Sequence, residues 1–557
     1  MPDVKHMKWW GWGVEGVAFH HEDKPGFRPF VIEAVDLDVT VEPTSQRSQD
    51  LPEVPRPLIP AELVAELRDA VGPENLVTTD DDRIVHTYGK SVRDLLRLRA
   101  GDIPRVPDVV VYPGNEEEVQ LVVDRAVAAN AVLIPFGGGS NISGSLHAPP
   151  DETRPVISVD MGRMNRVLSV DAESGLARIQ AGVLGPDLEE QLNALGWTLG
   201  HFPDSFTHST LGGWVATRSS GMQSDKYGDI SEITRGVRVV QPGKVLVLRP
   251  LPSTSTGPSV REMVLGSEGR LGIITEVTVQ VHRIPQNRQI LGYLFPSWDA
   301  GLAAMQEIST SDAHPSVTRV SDGRETRFSF ATRKKSSGLS ISSLVSKGLM
   351  KVLERRGWQL DQSCLSFIGY EGGKAHVNRQ KAIVKDIVGK HGGIVLGKGP
   401  GALYDQKKFD TPYIRDFLLD RGAIGDVSET AAPWSKLKPL YDNVLAAANG
   451  AFAELGVAGW IMCHLSHSYH SGACLYFTFA FKHDGVDPLA QYDRVKSAIQ
   501  QAFVDSDGTL SHHHAVGTEH APWLEQDISA PGVHMIDGLF AAIDPGGNFN
   551  PGKIVVK

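Results

Sequence analysis

Cysteine is nearly absent from this chain: Cys364, Cys463 and Cys474 are the only three among 557 residues, far apart and odd in number. They make neither a disulfide framework nor a zinc site, and a reducing, cytoplasmic compartment is the expected setting. Long apolar runs are missing as well. None approaches the ~18 residues that span a bilayer, so the protein is expected to be soluble or at most to lie on a membrane surface. The N-terminus is broken by charges and lacks the apolar core of a secretory signal. The ending Ile554-Val555-Val556-Lys557 is not a peroxisomal tripeptide. Positive charge is in deficit: a net charge of −11 argues against a general nucleic-acid binder. Two common nucleotide motifs are absent too, since no GxGxxG opens a helix after the first strand and there is no GxxxxGK[ST].

What is present is ordinary globular material, 41% hydrophobic and 22% charged, long enough for at least two domains. The first hundred residues hold Lys8-Trp9-Trp10-Gly11-Trp12-Gly13, a proline-rich stretch through Pro60, and a helix-like segment near Ala61–Ala70. Three tryptophans so close together read as packing against the main body, or as an arm that helps to close a site. From about Pro104 strands and helices alternate. Val109–Tyr112 reads as a strand, Asn115 caps a helix with Val119, Val122, Val123, Ala126 and Val127 on one face, and Val132–Ile134 is a second strand. Short strands follow at Val156–Val159, Arg166–Val170 and Leu176–Gln180, then a helix near Pro186–Leu195. Val237–Val240 and Val245–Leu248 flank Pro242-Gly243-Lys244 as a hairpin, and Val277, Val279 and Val281 alternate in a last strand before Pro285.

The stretch Pro135-Phe136-Gly137-Gly138-Gly139-Ser140-Asn141 directly follows the second strand. Consecutive glycines imply backbone with φ > 0, or backbone that approaches a partner more closely than a Cβ allows. Free N–H groups in such a turn form a concave nest for an anion, usually a pyrophosphate. Two later segments share this small-residue character. One runs through Asp204, Ser205, Ser209, Thr210, Gly212, Gly213, Thr217, Ser219 and Ser220; the other is Glu268-Gly269-Arg270-Leu271-Gly272-Ile273-Ile274. Together the three resemble the FAD-binding domain of the vanillyl-alcohol oxidase superfamily. The resemblance implies an α+β fold with a second, substrate-capping α+β domain, and FAD held by these three segments. No histidine or cysteine inside the first loop tethers the flavin, so binding is expected to be noncovalent.

Several residues could carry chemistry. If Ser511-His512-His513-His514 is a strand, His512 and His514 share one face and His513 the other. Metal binding would need further ligands, with His520 the nearest candidate, and no metal is expected. In Gly472–Phe479, strand alternation points Tyr476 with Cys474 and Thr478. A tyrosine of unperturbed pKa about 10 exchanges a proton only where the site lowers that cost. Arg319 and Arg415 lie in apolar surroundings and need anionic partners: Asp322 or Asp416 within the protein, or a substrate phosphate.

The order of Trp10–Gly13, His201–Ser205, Thr210–Gly213, Arg319, Tyr413-Ile414-Arg415-Asp416, Gly472–Phe477 and Ser511–Gly517 resembles alkyldihydroxyacetonephosphate synthase across nearly the whole chain. The resemblance implies an FAD enzyme without net redox change. It would exchange the acyl chain of acyl-dihydroxyacetone phosphate for a long-chain fatty alcohol, with the flavin as electrophile and electron sink. It makes Tyr476 the proton donor and acceptor and Arg415 the phosphate anchor. Arg319 and His201 become catalytic residues, and His512, His513 and His514 the cluster that handles the alcohol proton. The expected division is an N-terminal arm over 1–103, an FAD domain over 104–285, a substrate cap over 286–505, and a segment over 506–557 that returns to the flavin domain. A homodimer is expected. The Asn550-Pro551-Gly552-Lys553 ending belongs to oxidases and dehydrogenases of the superfamily. It keeps open an FAD-dependent 2-hydroxy-acid dehydrogenase or oxidase of the D-lactate or glycolate type, in which Arg415 would hold a carboxylate and a histidine abstract a proton. A flavin-binding protein without catalysis is a third class.

One stretch stands apart from the acidic whole. Arg333, Lys334, Lys335, Lys347, Lys351, Arg355 and Arg356 accompany a single acid, Glu354, and interleave with leucines and valines. A helix from about Ser343 would be basic and amphipathic, either an ordinary surface helix or a peripheral membrane-docking element through which long-chain substrates enter.

Overall fold

The structure, a computed structural model, describes residues 3–43, 52–334, 353–355, 357–407 and 411–556. It mixes helix and sheet around three larger sheets. In the first, Val109–Val111, Val156–Asp160 and Val132–Phe136 run parallel, with Leu76–Val77 antiparallel at one edge. Parallel strands require cover on both faces and read as unbroken apolar runs; here Val109, Val110, Val111, Val132, Leu133 and Ile134 are fully buried. The crossover helix Glu116–Ala128 starts as its sequence demands. Asn115 accepts from Glu118 N at 2.9 Å, the Glu118 carboxylate reaches back to Gly114 N at 2.7 Å, and Val119, Val122, Val123 and Ala126 are buried. Val132–Phe136 then delivers the chain into the triple-glycine loop.

The second sheet is antiparallel, in the order Val167–Asp171, Leu176–Gln180, Ile273–Gln280, Thr234–Gln241 and Lys244–Leu248. The expected hairpin is present, turning at Gly243 with φ +66°. The third sheet has seven antiparallel strands, with Val317–Ser321, Gly459–Ser468, Gly472–Lys482 and Ala423–Pro433 at one end. Its helices Trp434–Leu455 and Pro488–Asp505 cover one face, where Leu475, Phe477 and Phe481 are buried. Period-two alternation leaves Tyr476, Thr478 and Ala480 of the same strand on the opposite face, against a cavity.

Two parts of the N-terminal hundred residues pack on the cavity. The helix Phe27–Val35, unexpected from the sequence, buries Phe27, Phe30, Val31, Ala34 and Val35 in a cluster with Phe417 and Leu418. Ahead of it, Trp12 is buried and donates its backbone N–H to Asp416 Oδ2 at 2.5 Å, while Trp9 meets Trp10 edge to face. At the other terminus the tail lies along the first sheet: Leu133 N–H donates to the Asn548 carbonyl at 2.7 Å, and Asn550 N–H to the Leu133 carbonyl at 2.9 Å. Most of the basic stretch, residues 335–352 and 356, lies outside the described residues.

Candidate active site

The three sheets and the N-terminal helix converge on one large cavity. Its volume is about 330 Å³, at the lower end of the roughly 300–1,000 Å³ of common small-molecule clefts. One part of the wall is mostly small or polar, with a few apolar residues such as Phe136, Ile273 and Ile274: Pro135–Asn141, Asp204, Ser205, Ser209, Thr210, Gly212, Gly213, Thr217, Ser219, Ser220, Glu268, Gly269, Gly272, Ile273 and Ile274. Another part is apolar and includes Phe30, Val31, Phe328, Leu418 and Trp460. Arg415, Tyr476, His513 and His514 also line it.

The triple glycine is required by the protein's own backbone. A Cβ at Gly138 would stand 1.8 Å from the His208 carbonyl oxygen and one at Gly137 2.3 Å from Thr210 Oγ1, while Gly139 has φ +68°. The loop therefore packs back to back with the Phe206–His208 turn and Thr210, bringing two of the three small-residue segments together. Among the described residues, the backbone N–H groups of Gly137, Gly138, Gly139 and Ser140 meet no acceptor, and Asn550 Oδ1 is buried without a partner. Unspent donors on a cavity wall suit a pyrophosphate, so these residues fit FAD. Glu268 contributes differently: its carboxylate accepts Ser145 Oγ–H and the N–H groups of Val516 and Gly517, tying the glycine-loop region to the chain after the histidines. Leu271 does not line the cavity; its side chain packs with Leu510, Leu524 and Phe540.

The three histidines do not form a strand, so the expected face alternation is corrected. Ser511–His514 is irregular, with bends at His512, His513 and His514, and wraps around the buried carboxylate of Glu429. Oε1 accepts Ser511 Oγ–H at 2.7 Å and the N–H groups of His513 and His514 at 3.1 and 3.0 Å; Oε2 accepts His512 N–H at 2.6 Å. This arrangement fans the rings apart: His513 and His514 reach the cavity, and His512 turns away to the Tyr469 hydroxyl. Burial alone would raise the Glu429 pKa, but the histidine rings and the Ser511 hydroxyl outweigh it and hold the group well below the usual carboxylate range. Burial disfavours the charged imidazoles, pushing His514 down to about 4 and His513 well below its ordinary value. Glu429, His513 and His514 lie close enough together to suggest a metal, as do His467, Cys474, His512 and His513. Four donors already occupy the Glu429 carboxylate, and His512 and His513 bond to each other at 2.9 Å. His520 is in neither group and meets the Ala515 carbonyl through Nδ1.

Tyr476 lies among these rings, 6.0 Å from His513 and 4.9 Å from His464 by centroid. Burial first, then the carboxylates of Asp204, Glu429 and Asp426, push its pKa well above the ordinary value, so it stands in the cavity as a phenol. Arg319 does not line the cavity. Its partner is Glu325 at 2.7 Å rather than Asp322, and Glu325 in turn meets His464 Nδ1 at 3.0 Å. Asp322 is occupied elsewhere, by Tyr441 Oη–H and the N–H groups of Cys463 and Glu325. His201 stands one layer behind the wall: its Nε2 meets Ser219 Oγ at 2.9 Å and its ring lies against Trp214.

Arg415 is the buried cation of the cavity. Its Nη1–H donates to the Lys90 carbonyl at 2.6 Å, Nη2 stands 3.6 Å from Asp416 Oδ1, and neither Nε nor Nη2 makes a hydrogen bond. Several residues here escaped the sequence reading: Glu325, His464, Glu429, Tyr469 and Asp229. The one signal for Glu429 was an acid inside the small-residue strand Ala423–Pro433.

A glycine cradle with unspent donors, closed by a capping sheet that carries ionisable side chains, defines an FAD-dependent enzyme of the linked-oxidase type. In agreement, residues 107–248 match the family model "FAD binding domain" and residues 284–554 the model "FAD linked oxidases, C-terminal domain". The chain is 42% identical over 496 residues to alkyldihydroxyacetonephosphate synthase of Dictyostelium discoideum, spanning 89% of this chain and 80% of that protein. It is 36% identical to the synthase of Trypanosoma brucei brucei over 99% of this chain and 92% of the relative. A solved structure of alkyldihydroxyacetonephosphate synthase superposes with a TM-score of 0.85 at 37% identity, covering 98% of each chain. The chain belongs to the alkyldihydroxyacetonephosphate synthase family, and FAD is its cofactor. The hydroxy-acid enzymes are distant: the mitochondrial D-lactate dehydrogenase of Arabidopsis thaliana is 24% identical.

Proposed function

We propose that this enzyme replaces the acyl chain of acyl-dihydroxyacetone phosphate with a long-chain fatty alcohol, forming an ether bond without net oxidation. The observation that carries the reading is Arg415, a buried guanidinium with two unspent nitrogens in a cavity that also has a long apolar wall. That pairing suits an amphiphile with an anionic head. The phosphate receives the planar fork of Arg415. The apolar residues from Phe27–Val35, together with Leu418 and Trp460, hold the hydrocarbon chain and keep water from the reacting carbon. Tyr476, a phenol at rest, gives and retakes a proton at its hydroxyl oxygen. His513 and His514, neutral because they are buried, accept the alcohol proton at a ring nitrogen. Bound FAD supplies an electrophile and electron sink. Arg319 and His201 act from behind the wall, the first through Glu325 and His464, the second through Ser219.

Incubation of the purified holoenzyme with palmitoyl-dihydroxyacetone phosphate and labelled hexadecanol, with D-lactate in parallel, tests this. Labelled ether without flavin bleaching is the expected result; bleaching by D-lactate without ether formation would replace the reading with a hydroxy-acid dehydrogenase. Two further parts of the proposal concern assembly. The basic run between Arg333 and Arg356 docks the enzyme on anionic membranes, where its substrates reside; the enzyme should float with anionic liposomes at low salt and be released as the Debye length shrinks to about 3 Å at 1 M. The chain forms a homodimer, which sedimentation equilibrium measures directly.

A further inference from the structure

The proposed exchange sets a proton balance. The bond from C1 to the ester oxygen breaks with its electron pair leaving on a fatty carboxylate, and a bond from C1 to the alcohol oxygen forms. The alcohol O–H breaks, nothing is oxidised overall, and the released carboxylate is ionised near neutral pH. Each turnover therefore releases one net proton, and a route through the largely apolar wall spares the departing fatty acid from carrying it out.

Four side chains on three elements form a continuous line from that cavity. His513, on its wall, meets His512 through Nδ1 to Nδ1 at 2.9 Å. His512 Nε2 meets the Tyr469 hydroxyl at 2.5 Å, and that hydroxyl meets Asp229 Oδ2 at 2.8 Å. Asp229 is the N-cap of the short helix Ile230–Ile233 in the FAD-binding half; Tyr469 follows the strand Gly459–Ser468 of the cap sheet. Both residues are half-buried, the Asp229 Oδ1 atom is buried without a hydrogen-bond partner, and the neighbouring Lys226 and His470 are exposed.

The polarity of the line follows from its far end. The Asp229 pKa lies below the ordinary carboxylate value; burial opposes this, but His512, His467 and the Tyr469 hydroxyl outweigh it. An ionised carboxylate only accepts, so Tyr469 must donate to it and accept from His512 Nε2–H, and His512 Nδ1 must accept from His513 Nδ1–H. Every proton along the line points outward, and His513 keeps Nε2 as the atom that accepts from the cavity. Glu429 Oε2 lies 3.6 Å from His513 Nδ1 and accepts the His512 N–H, and two other neighbours are committed elsewhere. His467 bonds the Gly221 carbonyl and Ser466, and Asp225 accepts Ser468 N–H and Thr318 Oγ–H.

We propose that Tyr469 and Asp229 are the exit relay for the proton released by ether formation, receiving it from His513 through His512 and passing it to solvent. His513 takes the alcohol proton at Nε2 and gives up its Nδ1 proton; His512 gains one at Nδ1 and loses one at Nε2; Tyr469 passes one on to Asp229. The relay rests on the exchange reading given above.

The test uses FAD-loaded full-length enzyme and the variants Tyr469→Phe and Asp229→Asn in dilute buffer. The FAD content and Tm of each variant establish that it is folded; if one does not fold, the other carries the test. Relay loss should lower kcat for ether formation at least about tenfold, the low side of what a positioned proton-transfer group contributes, with KM for the acyl substrate unchanged. Added imidazole should restore the rate, and a pH-indicator dye should show proton release lagging behind fatty-acid release. Folded variants with normal kcat in dilute buffer, or a defect that imidazole does not relieve, would overturn the relay. Failure of the unmodified enzyme to form ether would instead overturn the exchange reading.

Discussion

The rings of His464 and Tyr476 stack with 22° between their planes, and this contact explains how a cation outside the cavity bears on the chemistry inside it. His464 is held by Glu325 and Glu325 by Arg319, so the orientation of the phenol depends on an ion pair two residues away.

Arg319→Met should therefore reduce turnover through Tyr476 and also destabilise the fold. Removing one partner of a buried pair costs about 3–5 kcal/mol because the other charge is left unpaired. The double variant Arg319→Met/Glu325→Gln should recover part of that loss, a coupling that a urea-unfolding double-mutant cycle measures. Additive losses would show that the two side chains act independently.

Tyr476→Phe and Arg415→Lys should fail in different ways. The first removes the transferable proton and should abolish exchange while FAD and acyl substrate still bind. The second keeps the charge but loses the planar fork, and should chiefly raise KM. Steady-state kinetics with isothermal titration of the acyl substrate separates them, and near-normal turnover in Tyr476→Phe would remove the tyrosine from the mechanism.

Stability should fall as pH drops from 6.5 towards 4. Burial lowers the folded pKa of His201, His467 and His514 to about 4 each, below the ordinary 6.5. A depressed folded pKa means that the unfolded chain takes up protons first, so the stability present above pH 6.5 is lost on acidification. Each such histidine contributes at most about 1.4 kcal/mol per pH unit. Guanidinium unfolding at pH 7 and pH 5 checks the slope, and His467→Asn should flatten it; a variant with an unchanged slope would contradict the assignment for His467.

FAD should come off intact. Acid precipitation should leave a colourless pellet and a yellow supernatant, because the loop Pro135–Asn141 holds no histidine or cysteine. A yellow pellet would mean a covalent tether, with His513 and His514 on the cavity wall as the first residues to test.

Local chemistry was legible in the sequence. The apolar strands, the Asn115 cap, the Gly243 hairpin and the small-residue loops depend on propensity and periodicity within a few residues, and the structure places many of them within one or two positions of the reading, although the strands Thr234–Gln241 and Ile273–Gln280 start three and four positions earlier. The order of the motifs was enough to indicate FAD and the family. What only the tertiary structure decided is which side chains face the cavity. Ser511–His514 read as a strand because nothing nearby revealed that Glu429, more than eighty residues earlier, would gather its backbone N–H groups and fan the rings apart. Leu271, Arg319, His201 and His512 belong to the motifs yet stand behind the wall, while Trp12 and the helix Phe27–Val35 enter it from the far end of the chain. The physical reason is that buried polar groups are satisfied by whatever donor or acceptor the packed elements bring within about 3 Å, and sequence spacing carries no record of those encounters.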